Sequence, residues 1–289
     1  MYSLNPSNGK IKQLQAKEDV ISDYSIANQA FEMVYFGLSA SNSQRLYTYN
    51  LKNDASSCLI DLSKEILRDV TLGEVQDWNF VSAQGDTIYG RFYLPPHFDA
   101  TKKYPMIVNY YGGTTPTARV MESRYPSHVY AGLGYIVYII QPSGATGFGQ
   151  EFSARHVNAW GKLTADEIIE GTKKFCEEHP FVNTKKIGCM GASYGGFMTQ
   201  YLQTKTDIFA AAMFMRESAT SPAIGEKVTG DIHTARWLAL TVIHGMPGIC
   251  TLYKVRCLTQ TRSIPRSCSY MEPQTRMFRL ERASRCLPH

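Results

Sequence analysis

The hexapeptide Gly191-Ala192-Ser193-Tyr194-Gly195-Gly196 constrains this chain more than any other stretch. It lies between an apolar run at 186–190, which reads as a short buried strand, and a helical run at 196–204. A G-x-S-x-G sequence at a strand-to-helix junction specifies a turn so tight that a side chain at either glycine would clash. The serine is then held in a strained backbone conformation at the C-terminal edge of a sheet, with its hydroxyl exposed. The helix that follows offers its N-terminal dipole and N–H groups to a developing negative charge. The alternative is a Gly-rich turn that only packs a helix onto a sheet.

The surrounding sequence supplies the sheet. Residues 78–82 and 87–94 form a hairpin around Gln-Gly-Asp, closed by Pro95 and Pro96. An apolar strand at 106–111 ends at Gly112 and Gly113, a short helix finishes at 129–133, and a strand at 135–140 ends at Pro142, Ser143 and Gly144. Residues 164–178 read as an amphipathic helix with Ile168, Ile169, Thr172 and Phe175 on one side and Asp166, Glu170 and Lys174 mostly elsewhere. A further strand is expected at 208–212. Strands alternating with helices predict a mainly parallel sheet with helices on both faces.

Residues 1–66 have a different texture. A hairpin at 2–4 and 10–14 surrounds an Asn-Pro-Ser-Asn-Gly turn, a strand follows at 31–38, and a second hairpin occupies 44–51 and 58–62. A multi-strand unit recurring at roughly 40–50 residues is the habit of β-propeller blades, although two units also suit a small meander. Residues 67–75 read as a connector.

The charge is unevenly distributed. The whole chain of 289 residues carries a net +5, yet residues 213–289 alone hold 2 Lys and 9 Arg against 5 acids, with Cys250, Cys257, Cys268 and Cys286 and a single aspartate. The cysteine spacings match no common metal motif, and no aromatic or glycine pattern accompanies the arginines to suggest nucleic-acid binding. No run approaches the ~18 apolar residues of a membrane span, and the N-terminus lacks the layout of a signal peptide. Three cysteines before residue 213 give no disulfide framework. The compartment stays open, because a true N-terminus can lie upstream.

The serine hexapeptide resembles the nucleophile motif of the prolyl oligopeptidase family, in its dipeptidyl peptidase IV and acylaminoacyl peptidase branches. Other stretches resemble that family in order and spacing: Tyr93-Leu94-Pro95-Pro96 leading to Lys103-Tyr104-Pro105, Val108-Asn109-Tyr110-Tyr111-Gly112-Gly113 as the oxyanion segment, the Gly-rich loop from Gly144 to Phe152, and Trp160-Gly161-Lys162 with Asp166. The resemblance covers residues 1–212. It implies an incomplete α/β-hydrolase with a parallel-sheet core, residues 76–212, preceded by a β-propeller remnant, the last blades at 1–66. It implies Ser193 as nucleophile, the Tyr111 hydroxyl and the Tyr194 backbone N–H as oxyanion donors, short peptides as substrates, and neither cofactor nor metal. An esterase of the same fold and a non-catalytic fragment are the competing readings.

A serine hydroxyl needs a histidine base and an orienting acid, which in this fold follow the nucleophile in the order Ser, Asp, His. Asp166 precedes Ser193 and reads as a solvated helix residue. After Ser193 the chain offers only Asp207 and Asp231, with His233, His244 and His289. Asp207 is too close to the serine, Asp231 and His233 are too close to each other, no Asp follows His244, and His289 is terminal. No triad acid or base is identifiable. The resemblance is expected to stop near residue 212, and residues 213–289 read as an out-of-frame tail, the alternative being a genuine divergent C-terminus. Codons permitted for the tail, read two nucleotides later, can encode aromatic- and Gly-rich segments and an aspartate loop like those of the family. On this reading the last strand of the sheet is left with an unpaired apolar edge.

Overall fold

The computed structural model describes residues 1–123, 125–159, 161–217, 238–239 and 254–255. Two short strands, β1 (Tyr2–Leu4) and β2 (Ile11–Gln13), form the expected N-terminal hairpin. Next comes a four-stranded antiparallel sheet in sequential order: β3 (Val20–Ile26), β4 (Glu32–Leu38), β5 (Arg45–Asn50) and β6 (Ala55–Asp61). The expectation of two repeated hairpin units is thereby corrected to one hairpin and one complete four-stranded sheet. The strand missing from the sequence reading, β3, is almost wholly exposed, so it carries little of the apolar alternation that reveals a half-buried strand.

Tyrosines form the core of this sheet. Met33 and Tyr35 of β4 alternate inward, as do Tyr47 and Tyr49 of β5, and the register sets Tyr35 opposite Tyr47. The two rings stack 5.0 Å apart. A buried phenol needs a hydrogen-bond partner. Tyr49 Oη accepts the Gln15 N–H at 3.0 Å, and Tyr35 Oη accepts the Lys17 N–H at 2.9 Å while sharing a proton with Ser56 Oγ at 2.6 Å. The segment leading into β3 is therefore fastened across the sheet's face.

After α1 (Ser63–Ile66) the chain enters the larger sheet, built from β7 (Val75–Asp77), β8 (Phe80–Val81), β9 (Thr87–Tyr93), β10 (Tyr104–Asn109), β11 (Ile136–Gln141), β12 (Val182–Ser193) and β13 (Ala211–Glu217). Its main order is β13-β12-β10-β11-β9-β7, with β8 on β9. The four strands β11, β10, β12 and β13 run parallel, and β9 and β7 continue antiparallel. Every residue of β11 is buried, as a strand covered on both faces requires. The helix α2 (Ser127–Gly132) covers one face with Ala131 against Val137, Ile139 and Tyr93. On the other face lie α4 (Lys162–Glu178) and α5 (Tyr194–Lys205), with α3 (Gln150–Ala154) leading into α4.

The last strand departs from expectation. It was placed at 208–212, but the ladder to β12 runs from Ala211 to Glu217, with Ile208 and Phe209 in the preceding turn. Among the described residues β13 ends the main sheet. Leu238–Ala239 and Lys254–Val255 form a separate two-residue ladder, β14 and β15. No described helix is long and apolar enough to cross a membrane.

The smaller sheet is tied to the larger by charge. Arg91 on β9 pairs with Asp77 on β7 at 2.6 Å and with Asp19, just before β3, at 3.0 Å. The centre of the larger core is aromatic. Phe175 of α4 stacks on Tyr138 at 4.6 Å and receives Trp78 edge-on at 5.2 Å. Gly171 brings α4 this close to the sheet. A Cβ there would lie 2.6 Å from Phe80 Cε1 and 2.8 Å from Ile140 Cδ1, both on buried side chains. Glycine to alanine inside a helix ordinarily stabilises by about 1 kcal/mol. Here overpacking of about 1–3 kcal/mol opposes that gain. Gly171→Ala is expected to lower the melting temperature, and a rise would show that α4 can move off the sheet at no cost.

Candidate active site

The connections from β10 to β11 and from β11 to β12 run to opposite sides of β10. The strand order therefore reverses between β10 and β12, and the C-terminal ends of these two strands are where open α/β sheets place their ligands. The register pairs Asn109 with Met190, so Tyr110–Gly113, which follow β10, and Gly191–Ser193, which end β12, come side by side.

Ser193 is where the sequence placed it, between β12 and α5. Its backbone has φ 55° and ψ −118°, a conformation that L residues other than glycine rarely adopt. The flanking glycines explain how it is held. A Cβ on Gly191 would lie 2.5 Å from the Gly195 carbonyl oxygen, so a side chain there would prevent the turn from closing. A Cβ on Gly195 would lie 3.0 Å from the Tyr110 carbonyl oxygen and 3.3 Å from that of Tyr111. Gly195 thus lets the first turn of α5 press against the backbone that carries Tyr111. A hydrogen-bond chain secures this contact: Thr199 Oγ1 donates to the Gly195 carbonyl at 2.7 Å and pairs with Tyr110 Oη at 2.9 Å. Since Thr199 has one hydroxyl proton and gives it to Gly195, Tyr110 is the donor to Thr199.

Tyr111 and Tyr194 meet at this edge, with ring centroids 6.1 Å apart. Gly113 leaves room for them, since a Cβ there would fall 2.8 Å from Tyr111 Cε1 and 3.2 Å from Tyr194 Cδ1. Tyr194 is the first residue of α5, so its amide belongs to the end of the helix where N–H groups lack intrahelical acceptors. Burial pushes its phenol up to about 12. The fold thus gathers all three residues singled out from the sequence.

The other acids and histidines stand apart. Asp166 is exposed on α4. Asp207 lies exposed in the turn from α5 to β13, at the opposite edge of the sheet, about 18 Å of helix away from Ser193. Asp231, His233, His244 and His289 lie outside the described residues. His156 sets its ring edge-on to Tyr194 at 5.3 Å. Burial lowers its pKa.

One buried acid was missed. Glu167 is fully buried on α4, one residue beyond the exposed Asp166. Its carboxylate accepts the Ser143 N–H and the Ser143 hydroxyl, each at 2.7 Å, and so pins the loop that leaves β11. Burial, with Asp86 and Glu170 nearby, pushes its pKa up from 4.5 to about 7 despite those two bonds. A single Glu beside an exposed Asp on an amphipathic helix carries no sequence signal of burial.

Comparison with known proteins agrees with this geometry. The parallel sheet, the elbow serine and the flanking helices define an α/β-hydrolase fold. Residues 122–219 match the prolyl oligopeptidase family. The chain is 27% identical over 238 residues to dipeptidyl-peptidase 5 of Porphyromonas gingivalis, covering 82% of this chain and 34% of that relative. An acylaminoacyl peptidase of Pyrococcus horikoshii shares the fold with a TM-score of 0.63 at 22% identity, over 71% of this chain and 32% of that one. So does an acylaminoacyl peptidase bound to Z-Gly-Gly-Phe-chloromethyl ketone, with a TM-score of 0.63 at 23% identity over 71% and 32% of the two chains. The chain spans about a third of the length of these relatives. A match of 238 residues cannot end before residue 213, so similarity extends into the Arg-rich tail, and the family match itself reaches residue 219.

The raised pKa of Glu167 has a signed consequence. Between 4.5 and about 7 the native state binds more protons than the unfolded chain, so stability falls as pH rises through that window and stays reduced above it. The shift corresponds to about 3 kcal/mol. Glu167→Gln should flatten the melting temperature between pH 5 and 8 relative to the parent. Parallel pH profiles would mean that Glu167 titrates normally.

Proposed function

We propose that this chain carries the nucleophile and oxyanion half of a peptidase site for short peptides. The observation that supports this most is the strained backbone of Ser193 at the turn between β12 and α5. Ser193 Oγ attacks the scissile carbonyl carbon, and the carbonyl π pair moves onto oxygen. The Tyr111 hydroxyl and the Tyr194 N–H stabilise that oxyanion, the first because a phenol can replace a second backbone donor. Collapse releases the amine and leaves an ester on Ser193, which water then hydrolyses. The peptide-inhibitor complex of the related acylaminoacyl peptidase supports a peptide over a simple ester as substrate.

Both steps need a base to take the proton from the nucleophile and return it to the leaving group. Loss of that base in a serine peptidase lowers kcat by roughly a millionfold. Every described histidine precedes Ser193 in the chain, against the order this fold uses. We infer that the chain does not turn over by itself, and that any break in reading frame lies beyond residue 212, where similarity to relatives continues.

A fluorophosphonate reagent followed by intact-mass measurement on the full chain tests both parts. No adduct is expected in buffer. Added imidazole, acting as a free base, is expected to yield an adduct that Ser193→Ala abolishes. A folded chain that gains no Ser193 adduct with imidazole would refute the nucleophile assignment. A Ser193-dependent adduct without imidazole would show that the chain holds its own base.

A further inference from the structure

Gln141 is the last residue of β11, at the end of a strand that is otherwise apolar apart from one tyrosine hydroxyl, and it is only 1% exposed. Its side-chain amide behaves like a short piece of neighbouring strand. The Thr117 N–H donates to Gln141 Oε1 at 2.8 Å, and Gln141 Nε2 donates back to the Thr117 carbonyl. One donor and one acceptor on each partner fix the amide orientation and lock Thr117 in place. The Thr117 hydroxyl, in turn, accepts the Tyr111 N–H at 2.9 Å. The same loop is fastened to the Gly-rich segment after β11, where the Thr146 N–H donates to the Thr114 carbonyl at 2.8 Å.

The consequence for Tyr111 is specific. Its amide is held by Thr117, so the donor it has left to offer is its phenol, while Gly113 leaves space for its ring beside Tyr194. We infer that Gln141 and Thr117 are positioning residues that set the Tyr111 phenol against the Ser193 elbow; its meaning for catalysis rests on the oxyanion role proposed above. Neither residue touches the reacting atoms. Gln141 acts on Tyr111 only through Thr117.

The test uses the full chain with 3-fluorotyrosine at position 111 alone, observed by fluorine NMR, with the melting temperature measured alongside. Thr117→Val keeps the shape and removes the acceptor for the Tyr111 N–H. Gln141→Met, a second variant, keeps the length and removes the amide pair without contacting Tyr111. Both are expected to shift or broaden the Tyr111 resonance, and Thr117→Ser, which keeps the hydroxyl, is expected to retain the parent signal. A parent-like resonance in both Thr117→Val and Gln141→Met would overturn the inference. So would a displaced resonance in Thr117→Ser, because loss of a methyl group alone would then account for the change. The resonance reports placement whether or not Ser193 reacts, so failure of the acyl-transfer reading would appear in the fluorophosphonate experiment and not here.

Discussion

The turn at Ser193 is the constraint on which the rest of the site depends. A non-glycine residue at φ 55° and ψ −118° costs on the order of 1–3 kcal/mol and persists only where its surroundings over-determine it. Those surroundings are visible. The β12–β13 and β12–β10 ladders hold the strand before the turn, and the Tyr110–Thr199–Gly195 chain holds the helix after it. The contact between Gly195 and the Tyr110–Tyr111 backbone is close enough that moving the elbow would displace that segment as well. Ser193 and the backbone that carries Tyr111 are therefore parts of one rigid junction.

That rigidity comes from the sheet centre outward. The β10, β11 and β12 strands are parallel and largely buried, and the aromatic cluster of Tyr138, Phe175 and Trp78 packs α4 onto them. Buried polar groups then attach the loops to this frame. Glu167 grips Ser143, Gln141 grips Thr117, and Thr117 grips Tyr111. Each of these contacts lies at the C-terminal edge of the sheet, which is where the fold needs loops fixed for chemistry. Glu167 bears an electrostatic penalty near neutral pH for doing so.

Legibility in the sequence followed physical range. The strands β9 to β12 and the helices α4 and α5 were readable because apolar period and Gly or Pro stops are local signals. Ser193 was readable because the strained turn demands glycine at fixed spacing. The strand β3 was not, because an exposed edge strand has no face to bury. The strand β13 was shifted by a few residues, since the apolar Ile208 and Phe209 that suggested it pack in the turn before it. Glu167, Gln141 and Thr117 were invisible because a lone polar residue declares its role only through a partner distant in the chain.

The central claim is that folding holds Ser193 in a strained backbone conformation. Comparing the unfolding free energies of Ser193→Gly and Ser193→Ala tests this most directly, since both lack the hydroxyl and only glycine relaxes at positive φ. The account predicts that Ser193→Gly is the more stable of the two by about 1–2 kcal/mol, strain relief exceeding the greater chain entropy of glycine. If Ser193→Gly is instead less stable by about 0.5–1 kcal/mol, as for glycine in an ordinary helix or strand, the strained elbow is contradicted.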